Sequence, residues 1–212
     1  MARTVALLDL GVGNLHSVER ALTQAARGCR RSVVVQRCLQ GEDLLKVDAI
    51  VAPGQGGFSS GAAALTDGLG DALKQAIDRG TPYFGICLGL QLLFDRSDES
   101  PSDRGLGHFS GSVTALDRTG VKIPHMGWNQ IEPVGPVHPY LQALGGAGAW
   151  AYFIHSFHAQ PSEAVIAATA SHGNNTVTAA VHRDNVFATQ FHPEKSQAGG
   201  LQMLAAFLEA PP

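Results

Sequence analysis

The 212-residue sequence predicts an α/β fold: a mixed, mainly parallel central sheet flanked by helices. Three observations carry that expectation. The first half alternates short β-branched runs with longer helical patterns, the order expected of parallel strands joined by crossover helices. Between Leu106 and Phe191 helical periodicity largely disappears, and short apolar runs punctuated by Gly, Pro, Asn and His take over, as in antiparallel strands. Hydrophobic residues make up 44% and charged residues 16%, which favours a sizeable core and argues against wholesale disorder.

Taken in order, Thr4–Asp9 reads as a strand, Asn14–Arg27 as a helix, Ser32–Gln36 as a second strand and Asp48–Ala52 as a third, ended by Pro53-Gly54. Asp71–Arg79 reads as a helix stopped by Gly80, and Pro82–Ile86 as a buried strand feeding a helix over Leu88–Asp95. Ser112–Leu116, Trp150–Phe157, Val165–Ala170, Val177–Val181 and Val186–Phe191 are expected to add antiparallel strands to the parallel half. Gln197–Glu209 closes the chain as an amphipathic helix. There is no internal repeat and no low-complexity linker. Gly145-Gly146-Ala147-Gly148 reads as a flexible loop too short to divide domains, so residues 1–212 are expected to form a single domain.

Composition narrows the function. Fifteen Lys and Arg against eighteen Asp and Glu give a net charge of −3, with no basic excess to support nucleic-acid or membrane binding. Three cysteines (Cys29, Cys38, Cys87) cannot build a disulfide framework, and they lack the paired spacing of a zinc site. The opening Met1–Leu10 is apolar but holds Arg3 and Asp9, and no small-residue cleavage site follows. No run approaches the roughly 18 apolar residues of a membrane-spanning helix. A soluble, cytoplasmic protein is expected.

Three segments carry chemistry. Gly85-Ile86-Cys87-Leu88-Gly89 sits where a strand meets a helix, and a nucleophile on so sharp a turn needs small residues two positions either side. There the helix N-terminus favours thiolate over thiol, and the Leu88 N–H would face an oxyanion. An arbitrary cysteine is a buried structural one; the G-x-C-x-G frame reverses that reading for Cys87, while Cys29 and Cys38 keep it. His192-Pro193-Glu194 follows a strand, and in extended chain His192 and Glu194 project to one side. Alone the pair reads as a surface histidine beside a solvated glutamate. Beside Cys87 it supplies a base oriented by a carboxylate. Pro53-Gly54-Gln55-Gly56-Gly57 fits neither a P-loop nor a dinucleotide fingerprint, and Gly11-Val12-Gly13-Asn14 lacks the third glycine of a cofactor site.

Gly85-Ile86-Cys87-Leu88-Gly89-Leu90-Gln91 together with Phe191-His192-Pro193-Glu194 resembles the class I (triad) glutamine amidotransferase family, of flavodoxin-like architecture. Asp9–Leu15, Lys122-Ile123-Pro124-His125-Met126-Gly127-Trp128-Asn129 and Pro193–Gln197 resemble the branch formed by the glutaminase subunits of imidazole glycerol phosphate synthases, in histidine biosynthesis. The resemblance implies that Cys87 attacks the amide of L-glutamine, that His192 moves the protons and that Glu194 orients His192. It also implies an oxyanion held by Leu88 and by an N–H from Gly54, Gln55 or Gly56. Gln91, Ser156 and Phe157 would hold the substrate, and His155 would shape the pocket without acting as the base.

The implied partner is a cyclase subunit, a (β/α)₈ barrel, docking as a heterodimer near Lys122, Met126, Trp128 and Lys195. For Met126 and Trp128, core packing stays an equal alternative. No metal or organic cofactor is called for, because the thiol is the nucleophile. Two departures stand out: Gln55 occupies a place that is commonly valine in the family, and Leu10 one that is often tyrosine. The alternatives are a glutaminase serving another acceptor (pyridoxal phosphate synthase or a surface-sugar amidotransferase) and a non-catalytic regulatory subunit. Lys122–Asn129 argues against the first acceptor and less strongly against the second; an intact Cys87, His192 and Glu194 argue against the regulatory subunit.

Overall fold

The computed structural model describes residues 2–38 and 40–211. Five strands form the parallel half of an eight-stranded sheet. β1 (Arg3–Leu8), β3 (Ala49–Gly54) and β4 (Tyr83–Cys87) are almost wholly buried, as strands covered on both faces must be, whereas β2 (Val33–Cys38) at the sheet edge is largely exposed. The crossovers run through α1 (Leu15–Ala26), α2 (Gly41–Leu44), α3 (Phe58–Ala64) and α4 (Leu69–Asp78). Asn14 caps α1 by accepting from the Ser17 N–H at 3.1 Å.

After β4 comes α5 (Leu88–Gln91), and then β5 (Phe94–Ser97), β6 (Phe109–Ala115), β7 (His125–Gln130) and β8 (Glu132–Pro133). α6 (Pro139–Leu144) leads into β9 (Trp150–His155), β10 (Phe157–Pro161), β11 (Ile166–His172), β12 (Asn175–Arg183) and β13 (Val186–Thr189). A 3₁₀ turn over Pro193–Lys195 precedes α7 (Gln197–Glu209). The main sheet runs β2-β1-β3-β4-β13-β12-β11-β8. β13 pairs parallel to β4, and β12, β11 and β8 continue antiparallel. β10-β6-β5 forms a second sheet, and β7-β9 a separate antiparallel ribbon.

Side chains that alternate along β1 divide the interior into two layers. Val5 and Leu7 join α1, α6 and α7 through Leu22, Leu141, Leu144 and Phe207, whereas Ala6 and Leu8 join α3, α4 and the second sheet through Phe58, Leu73, Phe94 and Phe109. On α7 the buried residues are Gly200, Met203, Leu204, Phe207 and Leu208, an i, i+3, i+4 stripe that matches the amphipathic helix expected there. A Cβ on Gly200 would run into the Pro193 carbonyl oxygen, so that glycine lets α7 lie directly on the 3₁₀ turn. Arg3 is buried, and its guanidinium donates to the Leu208 and Ala210 carbonyls where α7 ends.

Four expectations need correction. The helix over Leu88–Asp95 is a single turn, α5, and Phe94 already belongs to β5; the run is buried on every side, so its composition carried no face to set a length. Trp150–Phe157 is two strands in different sheets, broken at Ser156. Gly145–Gly148 is pinned: the Gly145 and Gly146 N–H groups donate to Gln142 and Leu141, and Gly148 donates to Ile131. α2, α3 and α6 were not anticipated, being too short to show a period. Among the described residues no helix is long and apolar enough to cross a membrane.

Histidines are built into this interior. Burial holds His125 and His138 down to about 4, helped by His172 and His182 respectively. Burial, with His125 beside it, holds His155 down to about 3. In the unfolded chain each returns to about 6.5, so unfolding takes up protons only below that pH. Stability from these three rings is therefore complete above about pH 6.5 and is lost as pH falls toward 4 and then 3. The urea midpoint should drop steeply between about pH 7 and about pH 4.5, and less steeply in a His125→Gln, His138→Gln variant; equal slopes would contradict this account.

Candidate active site

β4 hands the chain to α5 at Cys87, whose backbone sits at φ +55° and ψ −101°. That left-handed φ is unfavourable for a residue with a side chain, and the surroundings enforce it. A Cβ on Gly85 would come within 2.7 Å of the Gly89 carbonyl oxygen, and one on Gly89 would run into the Ala52 carbonyl oxygen. The buried Tyr83 hydroxyl donates to the Gly89 carbonyl at 2.7 Å, tying the first turn of α5 back to its strand. Cys87 is 8% exposed and opens onto a cavity of about 320 Å³, at the small end for a ligand site. Cys29 and Cys38 lie outside it, and burial pushes both thiols up.

His192 and Glu194 meet, though not by the expected geometry. The extended-chain argument is wrong: Pro193–Lys195 is a 3₁₀ turn with His192 as its N-cap. The turn brings Glu194 Oε1 to 2.8 Å from His192 Nδ1, with the two side chains 2% and 1% exposed. Main-chain bonds fix the turn, since the His192 N–H donates to Tyr152 at 2.9 Å and the Ser196 hydroxyl donates to the His192 carbonyl at 2.7 Å. Burial disfavours a charged His192 ring, but the charge of a Cys87 thiolate and the Glu194 carboxylate outweigh it and push the ring up to about 10. Nε2, the ring's other nitrogen, makes no hydrogen bond. The atom that would trade a proton with sulfur is thus free.

Gln55, Gly56, Gln91, Ser156 and Phe157 all line the cavity with Cys87. Gly54 and Leu88 do not. Gly54 pairs in register with Cys87, and a Cβ on it would lie 2.8 Å from the Leu88 Cβ, so the two pack against each other beside the elbow. The Gln55 side chain, which stands where valine is common in the family, brings its amide nitrogen to 3.4 Å from His192 Nδ1. His155 also lines the cavity and donates from Nδ1 to the Phe157 carbonyl at 3.0 Å, so burial leaves it a neutral wall.

Two residues escaped the sequence reading. Glu99 is the one carboxylate on the cavity wall, and it accepts from the Phe58 N–H at 2.8 Å. Gln190 is fully buried and donates from its amide to the Cys87 sulfur at 3.5 Å. Its signal was its place at the end of a strand, immediately before Phe191-His192-Pro193-Glu194. Met126 and Trp128 are 58% and 43% exposed on one face of β7, which excludes core packing. Trp150, across the ribbon on β9, is 57% exposed. Lys122 is exposed, and Lys195 is half-buried in the 3₁₀ turn. Among the described residues no three potential metal ligands cluster.

Comparison with known proteins identifies the family. The family model "Glutamine amidotransferase class-I" matches residues 6–210. The imidazole glycerol phosphate synthase subunit HisH of Thermosynechococcus vestitus is 42% identical over 210 residues, 98% of this chain and 97% of that protein. The subunit of the same name from Gloeobacter violaceus is 45% identical over 214 residues, covering 99% and 91%. Among solved structures, a glutamine amidotransferase superposes with a TM-score of 0.71 at 19% identity, covering 97% of this chain and 99% of that one; this likeness concerns the fold.

The Tyr83 bond gives a direct test of the elbow. Tyr83→Phe strands the buried Gly89 carbonyl, which should cost about 1–3 kcal/mol and lower the melting temperature accordingly. It should also slow alkylation of Cys87. A full loss of stability with unchanged Cys87 reactivity would show that the bond supports the fold but not the elbow.

Proposed function

The chain belongs to the class I glutamine amidotransferase family, and from that premise we propose that it is the glutaminase subunit of an imidazole glycerol phosphate synthase. It hydrolyses L-glutamine to L-glutamate and ammonia for a cyclase partner in histidine biosynthesis. The observation that carries the chemistry is a cysteine held at φ +55° beside a buried His192–Glu194 pair whose Nε2 has no other partner.

Each group then has a task. Cys87 passes its proton to His192 Nε2, and the sulfur attacks the amide carbon, forming a C–S bond while the carbonyl electron pair moves to oxygen. The Leu88 N–H, the first of a helix and without an i−4 partner, receives that oxyanion together with an N–H of the Gly54–Gly56 segment. As the C–N bond breaks, His192 protonates the departing nitrogen and ammonia leaves. His192 next takes a proton from water, whose oxygen attacks the thioester; the C–S bond breaks and its electron pair returns to sulfur. Glu194 keeps Nδ1–H occupied, so that Nε2 faces the sulfur. Gln91, Ser156 and Phe157 bind glutamine, and Glu99 is the wall group whose charge suits an α-ammonium.

Ammonia released into water at neutral pH becomes ammonium, which is no nucleophile, so the acceptor chemistry must abut this site. We assign the exposed ribbon face of Met126, Trp128 and Trp150, flanked by Lys122 and Lys195, to the cyclase, a (β/α)₈ barrel bound as a heterodimer.

Cys87→Ala should abolish glutamate production without unfolding the chain, and Glu194→Gln should lose less than His192→Ala, because the base survives. Equal losses would give the carboxylate a different role. The isolated chain should turn over weakly, and cyclase with its nucleotide ligand should raise the rate by about 10²–10³ for each oxyanion donor brought into place. Trp128→Ala should blunt that rise. Full activity of the isolated chain would refute conditional activation.

A further inference from the structure

The hydrogen-bond polarity around the cavity can be solved from one end. The Phe157 carbonyl only accepts, and it faces Gln91 at 3.0 Å, so the Gln91 atom there is its amide nitrogen. The same nitrogen lies 3.1 Å from the Gln190 side chain, which must present its oxygen to it. Gln190 therefore has its NH₂ end left for Cys87, and that end lies 3.5 Å from the sulfur. Gln190 is fully buried and Gln91 is 5% exposed, so neither amide can turn to water instead. The main chain is equally fixed, with the Gln190 N–H donating to Ala179 at 2.8 Å across to β12.

We propose that Gln190 is a further catalytic residue: its amide N–H stabilises the Cys87 sulfur anion when the thiol gives up its proton and when the thioester C–S bond breaks. An N–H directed at sulfur favours the charged form over the neutral thiol, as any hydrogen bond to an ionised group does. Gln91 is then also a positioning residue, since its orientation dictates which end of Gln190 the nucleophile meets. His155 supports the same carbonyl from the other side, receiving in turn from His125 Nδ1 at 3.0 Å.

The inference rests on the glutaminase reading, and the test separates the two. Alkylation of Cys87 by iodoacetamide is followed against pH by mass spectrometry in the wild type, Gln190→Met and Gln190→Glu. Methionine keeps the length without a donor, and glutamate puts an anion where the donor was. The alkylation midpoint should rise by about one pH unit in Gln190→Met and further in Gln190→Glu, with glutamate production down roughly 10- to 100-fold. A merely structural amide would leave the midpoint in place, and folded variants with the wild-type midpoint overturn the proposal. Should either variant fail to fold, ¹⁵N-labelled wild type answers the same question. The Gln190 side-chain amide resonances should titrate with the Cys87 alkylation midpoint, and resonances that ignore it overturn the proposal. If wild-type Cys87 is not alkylated ahead of Cys29 and Cys38, the glutaminase reading falls and this inference with it.

Discussion

Cys87 occupies a backbone conformation that costs a residue with a side chain on the order of 1–3 kcal/mol, and the sheet and the first turn of α5 hold it there. Gly54 pairs with it in register, Gly85 and Gly89 leave no space for relaxation, and Tyr83 fastens the Gly89 carbonyl. The sulfur is consequently presented at the end of a fully buried strand, where four other parallel strands share the load. β13, the neighbour of β4, delivers Gln190 and His192 to the same end of the sheet. Two adjacent parallel strands thus bring together Cys87, Gln190 and His192, the nucleophile, donor and base of the proposed reaction.

The surroundings then sort histidines that begin alike. His125 and His155 are buried against each other and against Phe153, with no carboxylate among the groups that shift them, and burial keeps them neutral. His192 is buried as deeply, but the opposed charges of Cys87 and Glu194 reverse the outcome. Of the two kinds, the second is the one that carries a proton at neutral pH beside the sulfur. The contrast comes from two neighbouring anions, because desolvation acts in the same direction on all three.

Legibility followed physical scale. The parallel strands and α7 were readable because their burial repeats along the chain, and Gln197–Glu209 coincides with the observed helix. The G-x-C-x-G frame was readable because steric limits at the elbow demand those glycines. His192 and Glu194 were paired correctly for the wrong reason, since a 3₁₀ turn brings them together where extended chain was expected. Gln190 and Glu99 were missed: Gln190 offered only its place immediately before Phe191-His192-Pro193-Glu194, and Glu99 offered no signal. An amide or a carboxylate carries no period, and the role of each depends on a partner 103 residues away in one case and 41 in the other. The exposure of Met126 and Trp128 was equally hidden, because alternation along β7 does not say which face meets the core.

The main chain of Tyr152 occupies a singular place. Its N–H donates to the Ser196 hydroxyl at 3.0 Å and its carbonyl accepts from the His192 N–H at 2.9 Å, so this one residue grips the His192–Ser196 turn at both ends. Its ring meanwhile stands edge-on to Trp128 at 5.9 Å on the outward ribbon. β9 then runs through Ser156 straight into β10 and the cavity wall. No backbone ladder joins the ribbon to the main sheet; the Asn129 side chain on β7 donates to the Ser171 carbonyl of β11 at 2.8 Å, and the Tyr152 main chain ties the ribbon to the turn. The outward ribbon face and the turn that carries His192 therefore share the main chain of one residue, so neither surface can drift in evolution independently of Tyr152.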